Sequence, residues 1–328
     1  MVSANKDLIA VHGEELMNAA DAHHVDFMYE ASCAGGIPII RPLKQCLLAN
    51  DITEIMGIVN GTTNFILTKM DQEGMEFEEA LAMAKELGYA EADPTADVDG
   101  LDAGRKMAIM GSIGFHSRLT FDDVYMEGIR NITSKDIKYA KDMDCVIKLL
   151  GIARNTKSGV EVRVHPTLIS KEHPLSSVND VFNAVFVHGD AVDDTMFYGR
   201  GAGEMPTASA VVGDVFAVVQ NTKDNCLGRS GYKCYKKLPV KAIGDIESKY
   251  FMRMIVNNSA GVLGNVASIL GNHSTSIEKI IQKPAGADAA EIVVITDLVQ
   301  EKNFKAAMDT LKETNFVREI SSMIRVYA

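Results

Sequence analysis

The chain has 328 residues, 47% hydrophobic and 23% charged, enough apolar material for two or three compact cores and no compositional sign of disorder. A formal charge of −11, with lysines that never gather into a stripe, argues against nucleic acid and anionic membranes as partners. Cys33, Cys46, Cys145, Cys226 and Cys234 form an odd set without a CxxC or a nearby His pair. Neither a disulfide framework nor a zinc site is indicated, and the expected compartment is the reducing cytoplasm. No apolar run approaches the roughly 20 residues of a spanning helix.

In chain order, apolar spacing predicts a helix from Lys6 to about Ala22 and then a strand in "HVDFMYEAS", as if the chain entered an α/β sheet partway through its winding. A strand follows from Ile52 to Val59, with a turn on Asn60 and Gly61. The next helix carries Thr62, Thr63 and Asn64 as capping candidates. A helix over about Glu76 to Leu87 stops at Gly88, which suits a left-handed cap, and "GLDAGRKMAIMGSIGF" forms another. A helix starts at Ser134, "CVIKLLGIARN" is strand-like, and "GVEVRVHPTLIS" alternates as a half-buried strand does. "VFNAVFVHGD" and "TMFYGRGAG" read as strands, and "PTASAVVGDVFAVVQN" as a helix whose small residues suit close packing.

Residues 222–247 lose periodicity and gather Lys, Gly and Pro, the composition of a linker. The remainder spells strand, helix, strand, strand, helix, strand, the ferredoxin-like βαββαβ order. The expected class is α+β (α/β): a mixed sheet with helices on one face, followed by this smaller unit.

Chemistry concentrates in "ELGYAEADPTADVDGLDAGRK", residues 86–106. A calcium loop fails on register. With Gly100 as sixth position, Thr95 stands first and Lys106 twelfth, where carboxylates are required. A solvated acidic connector is the plain alternative. Against it, Asp102 and Lys106 lie four apart on one helix face, and Glu91, Asp93 and Asp97 arrive at that helix's N-terminus. A lysine among acids can present a proton to a carbonyl oxygen while spare carboxylates hold an ammonium group.

This stretch, with "ANK" at 4–6, "EASCAGGIPII" at 30–40 and "GIVNGTTNFIL" at 57–67, resembles homoserine dehydrogenase over about residues 1–222. The tail resembles the ACT domain that bacterial members append. The resemblance implies NAD(P)-dependent interconversion of L-homoserine and L-aspartate 4-semialdehyde. It makes Lys106 the proton donor, Asp102 the residue that holds the substrate hydroxyl end, and Lys6 a second acid–base group near the nicotinamide. Glu91 and Asp97 would meet the substrate ammonium, Gly61 and Thr62 would close on substrate, and Gly88 and Gly203 would join Lys6 at the cofactor. "GRGAGEMPTA" is not itself a Rossmann fingerprint, because Glu204 stands where the last glycine belongs. Glu30, with backbone carbonyls of Cys33, Gly35 and Ile37, would bind Na+ or another monovalent cation.

The implied division is a Rossmann remnant over 1–30, a catalytic and dimerisation domain over 31–205, a returning helix and linker over 206–247, and an ACT domain over 248–328. Backbone at Gly261, Val262 and Leu263, with Asn272 opposite, is the expected effector site, with threonine as effector and a homodimer or homotetramer as the assembly. Family members begin with on the order of a hundred further residues of nucleotide-binding fold, so the chain is expected to lack most of the cofactor site and to be inactive or weakly active. The alternative is a non-enzymatic, amino-acid-sensing ACT dimer.

Overall fold

The computed structural model describes residues 1–228 and 234–327. Positions 229–233 of the expected linker lie outside the described residues. In chain order the elements are α1 (Lys6–Ala22), β1 (Ile52–Ile58), α2 (Gly61–Glu73), α3 (Phe77–Glu86), α4 (Thr95–Val98), α5 (Leu101–Phe115), β2 (Tyr125–Met126), α6 (Ser134–Asp142), β3 (Cys145–Thr156) and β4 (Gly159–Ser170). Then come β5 (Phe182–Gly189), β6 (Asp193–Arg200), α7 (Glu204–Lys223), β7 (Glu247–Asn257), α8 (Val262–Asn272), β8 (Ile277–Pro284), β9 (Ala289–Thr296), β10 (Val299–Gln300), α9 (Glu301–Lys312) and β11 (Val317–Val326). They form two compact units. The first takes in Met1–Arg130, Lys148–His165 and His173–Val240, the second Asn131–Ile147, Pro166–Glu172 and Lys241–Ala328.

In the first unit the strands run β6-β5-β1-β3-β4. β1 is antiparallel to both neighbours, with Ile55 opposite Ala153 on one side and Val187 on the other. α2 and α5 pack against this sheet. α5 is apolar nearly all round, from Ala103 through Met107, Ile109 and Met110 to Phe115, and its burial follows from that composition. Gly100 starts it at φ +82°, and His116 ends it in the left-handed region at φ +53°. α1 begins where Asn5 Oδ1 accepts the N–H of Leu8 at 3.0 Å. An Arg105–Asp7 ion pair then ties α1 to α5.

Two expectations need correction here. "HVDFMYEAS" is not a strand beyond a single bridge between Val2 and Met28. Its backbone pairs with that of residues 1–3, and the chain then turns into a 3-10 segment at Glu30–Ser32. β4 alternates apolar and polar as expected, yet it is buried on both faces from Gly159 to Ile169. Alternation reports which side chains share a face; packing decides whether the second face is covered. Here Glu161, Arg163 and His165 are all buried.

The second unit orders its strands β11-β7-β9-β8, with every pairing antiparallel. α8 and α9 supply Val266, Leu270, Phe304 and Leu311 to a core shared with Tyr250, Met252, Met254, Ile292 and Val294. This is the βαββαβ arrangement expected. α6 belongs to the same unit through buried charge: Arg253 Nε donates to Asp136 Oδ1 at 2.9 Å, and Tyr139 Oη donates to Glu291 Oε2 at 2.7 Å.

Candidate active site

A cleft of about 640 Å³ opens in the first unit, lined by Lys6, Asn60, Gly61, Thr62, Gly88 and Glu91. Asp97, Asp102 and Lys106 line it too, together with residues 31, 32, 34, 35, 181, 183 and 200–203. The structure thus brings together every residue assigned above to catalysis, substrate or cofactor. Of the five carboxylates in residues 91–102, three line the cleft. Asp93 instead accepts the N–H of Thr95 at 3.1 Å, and Asp99 pairs with Arg130.

Lys106 is held from both sides: its Nζ donates to Asp102 Oδ2 and to the carbonyl of Val59, each at 2.6 Å. An ammonium has three N–H donors, so one remains for a ligand. The other oxygen of Asp102 stands 3.3 Å from Lys6 Nζ. Burial pushes the Asp102 carboxyl up, but Lys106, Asn60 and Lys6 pull it further the other way, and it settles below its ordinary value. Asp97 goes the opposite way. Burial raises it, and the charge of Asp102 adds to that against the hydrogen bond from Asn60.

Asn60 is the site residue that sequence reasoning passed over as a turn. Its Oδ1 caps α2 by accepting the N–H of Thr63 at 2.9 Å, while its Nδ2 donates to Asp97 Oδ1 at 2.7 Å and to Asp102 Oδ2 at 2.9 Å. The signal was an Asn directly before a helix start, and the cap belongs to it rather than to Thr62, Thr63 or Asn64. Thr62 has its hydroxyl donated to the carbonyl of Tyr89 at 2.6 Å, which fixes the loop carrying Gly88 and Glu91.

Glu30 is buried and directs its carboxylate at backbone: Ile39 and Ile40 donate to Oε1, Arg41 to Oε2, at 2.6 to 2.8 Å. Burial raises its carboxyl against those three N–H groups. Cys33 is fully buried, and that burial pushes its thiol up to about 12, so it is a neutral packing group. Ala34 and Gly35 both have positive φ, +56° and +48°. A Cβ at Gly35 would stand 2.3 Å from the carbonyl oxygen of Gly201, so the two segments approach closely only because residue 35 is glycine. Among the described residues no three His, Cys, Asp or Glu side chains are placed to hold a metal ion. No helix among them is long and apolar enough to cross a membrane.

In the second unit a smaller hollow of about 340 Å³ is lined by Gly261, Val262 and Leu263, with Asn257 and Gln282. Asn272 ends α8, about 15 Å from its start at 1.5 Å per residue.

Residues 38–216 match the family model of homoserine dehydrogenase, and residues 250–315 that of the ACT domain. The homoserine dehydrogenase of Bacillus subtilis (strain 168) is 45% identical over 328 residues, covering 99% of this chain and 76% of that protein. The chain belongs to the homoserine dehydrogenase family. It shares with that family an oxidoreductase role in amino-acid biosynthesis. The Synechocystis enzyme is 46% identical, again over 99% of this chain and 77% of its own length. The crystal structure of a homoserine dehydrogenase from Thiobacillus denitrificans superimposes with a TM-score of 0.94 at 40% identity, over 99% of this chain and 76% of that one. A hyperthermophilic archaeal homoserine dehydrogenase solved in complex with NADPH matches at 31% identity with a TM-score of 0.59, over 67% of this chain and 64% of that one. The expectation that most of the cofactor domain is lacking, and activity with it, is not borne out by these matches, which align nearly the whole chain with about three quarters of the Bacillus and Synechocystis enzymes.

Proposed function

We propose that the chain interconverts L-homoserine and L-aspartate 4-semialdehyde with NADP or NAD. The observation that carries the reading is Lys106, held by Asp102 and Val59 with one N–H free toward a cleft that also presents Asp97 and Glu91. In reduction, Lys106 gives a proton to the substrate oxygen as the carbonyl becomes an alkoxide; in oxidation it takes the proton back. Asp102 orients that ammonium and meets the hydroxyl end of the substrate. Glu91 and Asp97 hold the substrate ammonium, and Gly61 and Thr62 close against it. Lys6, joined to Asp102, serves as a second acid–base group.

Gly35 and Gly201 let the backbone segments at 35 and 201 and the side chain of Asn183 pack closely at this part of the cleft, where a Cβ on either glycine would collide. Lys6, Gly88 and Gly203 are the residues assigned to hold the nicotinamide dinucleotide. When bound, it supplies or accepts the hydride. The turn at Cys33, Gly35 and Ile37, with Glu30, is assigned to a monovalent cation, and no catalytic step depends on it. The hollow at Gly261, Val262 and Leu263, with Asn272 from a second copy, is assigned to an amino-acid effector, threonine first, in a cytoplasmic homodimer or homotetramer.

Following NADPH absorbance with homoserine and NADP tests the reading. Homoserine-dependent turnover that disappears in Lys106→Met supports it. Equal turnover by the variant overturns it.

A further inference from the structure

We infer that Asn183 contacts the ligand in this cleft, its side-chain amide donating to a planar carboxyl-type oxygen: the carboxamide of a nicotinamide ring or the carboxylate of the amino-acid substrate. The inference rests on the reading above and adds a residue to it. Asn183 is 1% exposed and lines the cleft, yet its Nδ2 has no hydrogen-bond partner among the described residues. Buried amide donors in folded proteins almost always have partners, so an orphan at a binding cleft points to a partner that arrives with the ligand.

The position is built around that amide. A Cβ at residue 201 would stand 1.4 Å from Asn183 Oδ1, so the carboxamide fits only because Gly201 lies beneath it. The segment leading into Asn183 is clamped. Asn64 Nδ2 donates to the carbonyls of Val178, Asp180 and Phe182 at 3.2, 3.0 and 3.1 Å. The buried ammonium of Lys148 donates to the Val178 carbonyl at 2.6 Å and to Asn179 Oδ1 at 3.0 Å. Sheet register puts Asn183 one residue past the Ala184–Ile58 pair, alongside Val59, whose carbonyl receives the Lys106 ammonium. The amide therefore lies beside the reacting end of the cleft.

The class of ligand group follows from the charges around it. Glu91 and Asp97 repel a carboxylate, while Arg200, which lines the cleft together with Asn183, Gly35 and Gly201, favours an acceptor oxygen beside the Asn183 amide. An uncharged amide accommodates either source of that oxygen.

Calorimetric titration of homoserine and of NADPH, each alone, into wild type, Asn183→Ala and Asn183→Asp tests this without relying on turnover. Asn183→Ala is expected to weaken one of the two ligands by roughly 5- to 100-fold and leave the other within about twofold, with the melting temperature not lowered. Asn183→Asp identifies the source. A homoserine affinity weaker than that of the Ala variant marks the carboxylate; an NADPH affinity recovered toward wild type marks the carboxamide. Both affinities within about twofold of wild type in both variants overturn the assignment of Asn183 alone. A wild-type chain that binds neither ligand overturns the dehydrogenase reading and this inference with it.

Discussion

The cleft of the first unit and the sheet of the second both bury acids beside cations, and they do so to different ends. In the second unit Arg253 reaches Asp136 and Glu291, Lys135 and Tyr139 reach Glu291, and Thr133 caps α6 while accepting from Arg253. Every one of these charges faces another. In the cleft, Lys106 retains an N–H, Asp97 is pushed up by burial, and the amide of Asn183 has no partner. The difference teaches that a closed ionic network holds elements together, whereas an incomplete one beside open volume is where a ligand completes the valences.

The largest expected effect breaks the open cluster. Lys106→Met should lower kcat by about 10²- to 10⁴-fold, the usual range for a lost general acid, while circular dichroism and melting change little. Breaking the closed cluster should do the reverse. Arg253→Met removes the guanidinium shared by Asp136 and Glu291, leaving Asp136 with the hydrogen bonds of Thr133 and Glu291 with Lys135 and Tyr139, and should cost about 3 kcal/mol in urea denaturation, with cleft chemistry intact in the molecules that remain folded. Lys148 sharpens the contrast, because its buried ammonium, lowered to about 8 by burial, supports the cleft wall without facing a ligand. Lys148→Met should cost about 1–3 kcal/mol and weaken ligand binding as the segment 178–183 loosens.

The smallest effect lies in pH. Asp102 is held below its ordinary value, so its charge contributes stability that is complete above the usual carboxylate range and is lost as pH falls through its lower folded value. Asp97, raised by burial, has the opposite sign: its contribution is greatest below the ordinary value and is lost as pH rises through the folded one. Stability of Asp102→Asn and Asp97→Asn relative to wild type, followed by urea denaturation from about pH 3 to about pH 7, should therefore diverge in opposite directions.

Local signals were strong where one segment decides its own structure. α1, α5 and the βαββαβ order follow from apolar spacing, and the Asp102–Lys106 pair from a spacing of four on one helix. Long-range closure was not legible. That Asn60 bridges Asp97 and Asp102, that Asn183 lies over Gly201, and that α6 joins the second unit through Arg253 each depend on residues far apart in sequence. The strand expected in "HVDFMYEAS" failed for the same reason, since a strand is a property of its neighbour as much as of its own residues.

Chemical rescue puts the central claim to the most direct test: homoserine-dependent reduction of NADP by Lys106→Ala, measured with and without added methylammonium or ethylammonium. If Lys106 carries the proton, the variant is nearly inactive and the added amine restores turnover in proportion to its concentration. A Lys106→Ala variant that keeps a rate within about tenfold of wild type without added amine would contradict it.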